Sequence, residues 1–385
     1  MKITRRLFAF LGFTLSLFAL DYSTAARKPA ADSHYLALVG TYTGKTGSKG
    51  IYAFDFDSAS GKLTGKGLAA ETIAPSYVVI HPNGKYAYAA NEDSKQSTVS
   101  SFSIDAKAGK LTPLNQRPAL GEDPCHLSFD KTGKYLFAAN YTSGNVVVFP
   151  ILPDGQLGEA TATVKDLGSL GPNKERQEAP HAHWVEVSPD NRFVFVSDLG
   201  LDEILSYRFD AAKGTLNPND PSFSKLASAA GPRHAVFSPH GKFFYVVSEL
   251  NSTVTAFAYD PAKGTLKDFQ VVSTLPGDFH GRNDTAEITV HPNGKWLYAS
   301  NRGHDTIAVF AIDPANGALR LAGEFPTGGK EPRHFTMDPT GKFLLVENQN
   351  SDSIVVFRID SATGALAPTG ETASVPAPVC IAFGH

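Results

Sequence analysis

A regular series of seven Gly-X-Leu elements is the feature that most constrains the fold of this 385-residue chain. The copies begin at Gly61, Gly109, Gly155, Gly214, Gly264, Gly317 and Gly364, and the intervals between them are 48, 46, 59, 50, 53 and 47 residues. A repeat of this length is typical of β-propellers, in which each repeat forms one small antiparallel sheet. The spacing therefore predicts seven similar sheets.

A second repeated element is a turn between two apolar strands. It occurs near residues 82, 131, 189, 239, 292 and 339, and His81-Pro82-Asn83-Gly84-Lys85 is one example. Each turn is followed by a run with alternating large residues, such as Tyr86-Ala87-Tyr88. Alternation with a period of two, bounded by Pro and Gly, predicts antiparallel strands joined by tight turns.

The strands that precede these turns predict how the ring of sheets closes. They begin at Pro75, Pro124, Ala182, Pro232, Thr285 and Pro332, and a seventh such strand, at residues 377–383, has no turn after it. Its partners are expected near the N-terminus, at residues 35–42 and 50–57, because pairing there leaves no exposed edge. We therefore predict an all-β chain with one seven-bladed β-propeller over residues 33–385. A two-domain all-β protein or a β-sandwich is the alternative, and seven matching repeats disfavour it.

The charge of the chain argues against nucleic acid as a partner. The net charge is −3, the pI is near 6.5, and no basic run occurs. Such a chain lacks the positive field that attracts polyanions. A monomer that binds a small molecule is the expectation.

The N-terminus has the pattern of an export signal. Lys2, Arg5 and Arg6 precede an apolar stretch from Leu7 to Leu20, and small residues follow at 23–26. This pattern predicts a signal peptide at residues 1–26, and the paired arginines resemble a twin-arginine signal. Fourteen residues are too few to span a bilayer, which disfavours a retained anchor. We expect a periplasmic or secreted protein with no stable membrane insertion after cleavage.

The two cysteines are not expected to form a disulfide. Cys125 and Cys380 lie on predicted innermost strands of blades that are not neighbours. Sulfur atoms on such strands are too far apart for a covalent bond. Both are predicted to be small buried residues.

Polar residues interrupt the apolar strands where the central channel should open. In a propeller, the innermost strand enters from the face where the second strand leaves, so both ends meet at one mouth of the channel. Residues at or next to the starts of innermost strands are His181, His183, Arg233, His234, Glu287, Arg333 and His334, and those at the ends of second strands include Asp198, Glu249, Asn301 and Arg302. The sequence therefore predicts a polar site at one mouth.

Structural roles are the alternative for several of these residues. A histidine on an inner strand could simply bond to adjacent backbone, and Asn or Asp after a strand commonly forms a turn. Arg233, Arg302 and Arg333 would repel one another in a channel unless they were paired with Glu249, Glu287 or a bound anion. An anionic ligand is therefore predicted. His181 and His183 have no evident third ligand, so no metal is expected.

Six segments resemble the lactonase propeller family, which includes propeller-type 6-phosphogluconolactonases and fungal carboxymuconate-lactonising enzymes. They are Pro180-His181-Ala182-His183, Ser197-Asp198-Leu199-Gly200-Leu201-Asp202, Gly231-Pro232-Arg233-His234, Ser248-Glu249-Leu250, Ala286-Glu287-Ile288 and Ala299-Ser300-Asn301-Arg302-Gly303. The resemblance implies lactone chemistry without a required organic cofactor. It also implies a site of one histidine, two arginines and a glutamate. These fall on His181 or His183, on Arg233 and Arg302, and on Glu249.

Hydrolysis of a sugar-derived lactone is the leading hypothesis. Glu249 or a channel histidine would take a proton from water, and Arg302 or Arg233 would stabilise the oxyanion. The remaining arginine, with Arg333, would hold a phosphate or carboxylate. Asp198, His234, Glu287, Asn301, Arg333 and His334 are the candidate substrate-binding residues.

Two alternatives remain open from the sequence. One is lactonisation of a carboxymuconate-type diacid at the same site, and the other is an exported propeller that binds a ligand or a protein without catalysis. The family's familiar sugar-phosphate substrate is cytosolic, whereas this chain has an export signal, so the identity of the lactone also stays open.

Overall fold

Seven four-stranded antiparallel sheets make up the structure, a computed structural model that describes residues 33–384. Each innermost strand contacts the innermost strand of the next sheet, and the last contacts the first, so the sheets form a closed ring of blades. The predicted seven-bladed propeller is confirmed. The predicted signal peptide, residues 1–26, lies outside the described residues.

Strands are numbered in chain order, and each blade uses four of them. The innermost strands are β4 (Pro75–Ile80), β8 (Pro124–Phe129), β12 (Ala182–Val187), β16 (Pro232–Phe237), β20 (Asp284–Val290), β24 (Pro332–Met337) and β28 (Pro378–Gly384). The second strands are β1 (His34–Thr41), β5 (Tyr86–Asn91), β9 (Tyr135–Asn140), β13 (Phe193–Asp198), β17 (Phe243–Ser248), β21 (Trp296–Arg302) and β25 (Phe343–Asn348).

The outer half of each blade is equally regular. The third strands are β2 (Gly50–Asp57), β6 (Thr98–Asp105), β10 (Asn145–Pro150), β14 (Glu203–Asp210), β18 (Thr253–Asp260), β22 (Thr306–Ile312) and β26 (Ser353–Ile359). The outermost strands are β3 (Lys62–Glu71), β7 (Lys110–Pro118), β11 (Ala162–Lys165), β15 (Thr215–Lys225), β19 (Thr265–Ser273), β23 (Leu319–Pro326) and β27 (Leu366–Ser374). One 3₁₀ turn, Gln349–Ser351, is present in this part of the chain. Within residues 33–384, no helix is long and apolar enough to cross a membrane.

The C-terminal strand closes the ring as predicted. β28 pairs antiparallel with β1, with Ala37 opposite Phe383 and Val39 opposite Ile381. Three predicted boundaries differ by one residue: β1 is 34–41, β28 is 378–384 and β20 begins at Asp284. Because β28 fills the innermost position of the first blade, neither terminus leaves an unpaired inner edge.

The two repeated sequence elements pack against each other between blades. Gly264 of one Gly-X-Leu turn has a φ of +67°, and a Cβ there would lie 2.2 Å from the ring of Phe193, which begins β13 of the preceding blade. Gly364 sits in the same way on Trp296 at the start of β21. Only glycine tolerates both this backbone conformation and this contact. The repeat is therefore a requirement of blade packing.

Apolar side chains fill the space between neighbouring blades. One cluster joins Phe137 and Val146 of one blade to Val185 and Val194 of the next, and all four are buried. Six comparable clusters occupy the other interfaces. Burial of a large apolar side chain contributes about 1.5–3 kcal/mol, so these interfaces supply a rigid frame around the channel. Cys125 and Cys380 are both buried free thiols, in agreement with the sequence.

Candidate active site

A β-bulge at the start of every innermost strand determines which side chains face the channel. In all seven blades, the pairing of the innermost with the second strand slips by one residue near the first position. A bulge places two residues opposite one and redirects a side chain. Two consecutive side chains can therefore point into the channel. In a regular strand, only one of the two would do so, because consecutive side chains point to opposite faces.

The bulges define two rows of residues at successive positions, and one lower-row side chain, that of Trp184, packs between blades. The upper row comprises Ser76, Cys125, His183, Arg233, Ala286, Arg333 and Val379, and the lower row comprises Tyr77, His126, Trp184, His234, Glu287, His334 and Cys380. In three blades, both members of a consecutive pair line one small cavity: Ser76 with Tyr77, Arg233 with His234, and Arg333 with His334.

A cavity of about 370 Å³ opens above the upper row. We call it the arginine cavity. Its lining residues are Tyr42, Glu92, Cys125, Tyr141, Arg176, His183, Glu249, Arg282, Asp284, Arg302, Glu331 and Arg333. Four of the sequence-predicted site residues are among them: His183, Glu249, Arg302 and Arg333.

The carboxylate of Glu249 joins three arginines at the floor of this cavity. Its Oε2 lies 2.8 Å from Nε of Arg233 and 2.9 Å from Nη2 of Arg302. Its Oε1 accepts a hydrogen bond from Arg176. Arg233 also donates to the carbonyl of Ala286, and Arg302 donates to that of Thr285. Two neighbouring blades and the loop that precedes β12 therefore contribute to a single cluster.

The charges of these arginines keep Glu249 ionised. Burial alone would raise its pKa, but Arg302, Arg233 and Arg176 together lower the pKa of Glu249 well below its usual value. Burial, followed by the charges of Arg302 and Arg333, lowers the pKa of Arg233 to about 10, so it remains a cation near neutral pH. One carboxylate faces three guanidinium groups, which leaves positive charge for an anionic ligand or oxyanion.

Arg333 is held differently from the other arginines. Its guanidinium lies over the ring of Tyr42, 5.2 Å from the ring centre, and the Tyr42 hydroxyl donates to Glu92 at 2.9 Å. Among residues 33–384, no carboxylate lies within 4 Å of Arg333 and no acceptor bonds to it. The N–H donors of Arg333 are therefore available to a ligand in the arginine cavity.

His183 and His181 occupy different surroundings. His183 lines the arginine cavity, whereas both ring nitrogens of His181 are occupied, Nδ1 by the carbonyl of Tyr141 at 3.0 Å and Nε2 by Glu178 at 3.1 Å. The His181 ring also stacks on Tyr141. Burial and the charge of Arg233 lower the pKa of His183 well below its usual value, so its imidazole is neutral at pH 7.

Three predicted substrate-binding residues lie in the lower row, beneath the arginine cavity. His234 and His334 line a second, much smaller cavity of about 10 Å³, which we call the lower cavity. Glu287 contacts both histidines, at 2.9 Å from Nδ1 of His234 and 3.5 Å from Nε2 of His334. None of the three lines the arginine cavity itself.

Asp198 and Asn301 do not line either cavity. Asp198 is fully buried and accepts hydrogen bonds from the backbone N–H groups of His181 and Leu201. The amide of Asn301 bonds to Thr274 and Thr306. These are the turn-forming roles that are common for Asn and Asp after a strand. Oδ2 of Asp198 has no hydrogen-bond partner within the described residues, but it is buried, and Asp198 lines neither cavity.

Sequence reasoning missed most of the cavity wall. The residues it did not identify as site residues are Tyr42, Glu92, Cys125, Tyr141, Arg176, Arg282, Asp284 and Glu331. Arg176 had a usable signal: it lies between β11 and β12, in the 59-residue interval that is the longest of the six. The extra residues form the loop that brings Arg176 to Glu249.

Metal and thiol chemistry have no support from the side chains. The described part of the chain contains no group of three or more His, Cys, Asp or Glu side chains that could hold a metal ion. Burial raises the pKa of Cys125, so its thiol remains protonated and is a poor nucleophile. The arrangement is instead suited to stabilising negative charge that develops on a bound oxygen.

Comparisons with known proteins agree with this chemistry. Residues 36–383 match a family model described as a lactonase with a seven-bladed β-propeller. The 6-phosphogluconolactonase of Bacillus subtilis is 38% identical over 351 residues, which cover 91% of this chain and 99% of that protein. A solved structure of a periplasmic gluconolactonase from Pseudomonas aeruginosa is 34% identical, with a TM-score of 0.85, and the match covers 92% of this chain and 99% of that one. A structure from Bacteroides fragilis reaches a TM-score of 0.87 at 38% identity, over 93% of this chain and all of that chain.

Proposed function

The chain belongs to the lactonase family of seven-bladed β-propellers, and on that basis we propose that it hydrolyses a sugar-derived lactone in the arginine cavity. The observation that carries this proposal is the carboxylate of Glu249 with three arginines around it at the cavity floor. The relatives named as lactonases favour hydrolysis over both lactonisation of a diacid and binding without catalysis.

The arginines supply stabilisation of the transition state. When water attacks the lactone carbonyl, negative charge develops on the carbonyl oxygen. Arg302, which is buried and held by both Glu249 and the carbonyl of Thr285, presents a fixed positive charge to that oxygen. Arg233, which pairs with the same carboxylate oxygen of Glu249, reinforces this field. A positioned donor of this kind typically contributes 10²–10³-fold to the rate.

Glu249 is a poor proton acceptor despite its central place. Three arginines stabilise its ionised form, so a proton binds to it only at a large cost in free energy. Glu249 acts in this proposal by holding Arg176, Arg233 and Arg302 in position. The proton from water passes to a neutral channel histidine. His183 lines the arginine cavity, and His234 and His334 line the lower cavity.

Arg333 binds an anionic group on the substrate. It lines the arginine cavity, it remains positively charged, and it has no carboxylate partner among the described residues. A phosphate or carboxylate accepts hydrogen bonds from a guanidinium in bidentate geometry. This role makes a phosphorylated or otherwise acidic aldonolactone a better ligand than a neutral one.

Export is part of the proposal. The N-terminal pattern of basic, apolar and small residues is that of a signal peptide, and the Pseudomonas aeruginosa relative is named as a periplasmic protein. A periplasmic lactonase would meet lactones that arise outside the cytosol. We also propose that the mature protein acts as a monomer, since Glu249 already has its three arginine partners within the same chain.

A panel of lactones tests the proposal. Purified mature protein is assayed with five- and six-membered aldonolactones, each with and without a phosphate, in the presence of a chelator. We expect stereospecific hydrolysis above the spontaneous rate, with a lower KM for the anionic lactones and no loss of activity with the chelator. Absence of turnover with every lactone would contradict the proposed activity.

A further inference from the structure

The lower cavity is a small polar space to which the function described so far assigns no occupant. It lies under the arginine cavity and shares Glu92, Cys125 and Arg333 with it, so the two spaces adjoin. Its volume of about 10 Å³ is close to the minimum that accommodates one water molecule. A substrate is far too large for it.

Two buried polar atoms on the wall of the lower cavity have no partner. They are Oγ of Ser76 and Nε2 of His234, and neither has a hydrogen bond within the described chain. Both residues are more than nine-tenths buried. An unsatisfied buried polar atom costs about 1–3 kcal/mol, which a single bound water would remove.

The lower row fixes which nitrogen of His234 carries the proton. Burial and the charge of Glu287 raise the pKa of Glu347 well above its usual value, so we assign Glu347 as a neutral acid that donates to Nδ1 of His334 at 2.6 Å. His334 then has its proton on Nε2, directed towards Glu287. Glu287 accepts from Nδ1 of His234 at 2.9 Å, which leaves Nε2 of His234 as an acceptor.

We propose that the lower cavity binds the hydrolytic water, and that His234 accepts its proton as the water attacks the lactone. The inference rests on the proposed lactonase activity. Glu287 is a positioning residue: it holds the tautomer and orientation of His234, as a carboxylate does behind a histidine base. Ser76 donates to or accepts from the same water.

The proton balance of the step is complete. An O–H bond of water breaks as its oxygen forms a bond to the lactone carbonyl carbon, and the proton moves to Nε2 of His234. When the tetrahedral intermediate collapses, the bond from this carbon to the ring oxygen breaks, and the ring oxygen takes that proton. One water is consumed, no other reactant is required, and His234 returns to its neutral form.

His183 is less suited to accept this proton, although it lines the arginine cavity. No carboxylate within the described residues lies within 4 Å of its ring, and its Nδ1 faces the thiol of Cys125 at 3.9 Å. Nothing in that surrounding stabilises an imidazolium or fixes its tautomer. His183 is placed to contact the substrate, whereas His234 has the partner that a base requires.

Substitutions in the lower row test the assignment. We expect His234→Gln to lower kcat by about 10²–10⁴-fold, the usual contribution of a general base. Glu287→Gln should lower kcat by about 10–100-fold with KM within twofold of wild type, because it changes a proton transfer and not ligand binding. Glu203→Gln is the matched control: Glu203 is a buried carboxylate that pairs with Lys225 and lines neither cavity, so kcat should stay within about twofold. Equal losses in Glu287→Gln and Glu203→Gln would overturn the assignment.

A crystal structure of the wild-type protein tests the water site independently of activity. At a resolution near 1.5 Å, we expect one ordered water within hydrogen-bond distance of both Nε2 of His234 and Oγ of Ser76. An empty lower cavity, or wild-type kcat in a folded His234→Gln protein, would overturn the inference. If the wild-type protein hydrolyses no lactone, the proposed function fails, whereas the crystal structure still decides whether the water is present.

Discussion

Glu249 and Glu287 are both buried carboxylates close to Arg233, yet their surroundings drive their pKa values in opposite directions. Glu249 lies among three arginines, which lower its pKa, whereas Glu287 lies among histidines in the lower row, where burial raises its pKa. Divergent pKa values of neighbouring acids commonly mark distinct catalytic roles. The number of cations around each carboxylate therefore distinguishes their roles. Glu249 stays ionised and positions the arginines, whereas Glu287 positions the histidine that accepts a proton.

The cavities at the two rows also differ in size. The arginine cavity is large enough for a sugar lactone and is lined by charged groups, whereas the lower cavity holds at most one water. The upper row is therefore suited to binding an anion and stabilising an oxyanion. The lower row is suited to proton transfer away from bulk water.

Removing the charge of Glu249 should produce the largest loss of stability and of activity. In Glu249→Gln, Arg176, Arg233 and Arg302 lose their shared counter-ion. Breaking a buried ion pair from one side typically costs about 3–5 kcal/mol. We expect a loss of this size in the free energy of unfolding, measured by urea denaturation, together with a fall in kcat of more than about 10³-fold as the arginines separate.

Glu287→Gln provides the matched comparison for that variant. Glu287 carries no full ion pair with an arginine, so its loss of charge should cost less than about 2 kcal/mol in the free energy of unfolding. If Glu249→Gln and Glu287→Gln lower the free energy of unfolding equally, the arginines do not stabilise the Glu249 site more than the Glu287 site.

Arg333→Ala should change ligand binding more than turnover. Its guanidinium is the one proposed to hold an anionic group, and a charge-assisted hydrogen bond contributes about 1.5–3 kcal/mol. We expect KM for a phosphorylated aldonolactone to rise about 10–100-fold, while KM for its unphosphorylated counterpart and both kcat values stay within a few-fold. An equal rise in KM for both lactones would contradict this role.

The smallest expected effect is that of mild acid on turnover. Burial, with the charge of Arg233, lowers the pKa of both His183 and His234 well below the usual 6.5. A histidine with a lowered pKa stays neutral, and so stays a base, as the pH falls through that value. We therefore expect kcat to change by less than about twofold between pH 7.5 and pH 5.5. A kcat that falls by half near pH 6.5 would contradict these lowered pKa values.

The fold could be predicted because its repeated elements have direct packing roles. The turn glycine at 264 contacts Phe193 of the preceding blade, so glycine and aromatic recur together around the ring. The errors were confined to single residues at the ends of β1, β20 and β28, where apolar alternation does not determine the last backbone hydrogen bond. Closure by the C-terminal strand followed from counting seven innermost strands.

The site could be predicted only where it uses the repeated strands. Arg233 lies near the start of an innermost strand, and Glu249 and Arg302 lie at or directly after the ends of second strands. Because these ends meet at one mouth of the channel in every blade, the repeat itself indicated that the three residues converge. Arg176 comes from an irregular loop, whose path no periodicity specifies. The bulges were equally inaccessible, because alternation places consecutive residues on opposite sides of a strand, whereas the slip in pairing lets both face the channel.

The most direct test of this account is the turnover of Arg302→Ala on the aldonolactone that the wild-type protein hydrolyses fastest. Arg358→Ala is the control, because Arg358 packs on the ring of Phe343 in an outer part of its blade and lines neither cavity. We predict a fall in kcat of about 10²–10³-fold for Arg302→Ala in a folded protein, and wild-type kcat for Arg358→Ala. Wild-type kcat in both variants would contradict the proposal that the arginines held by Glu249 stabilise the oxyanion.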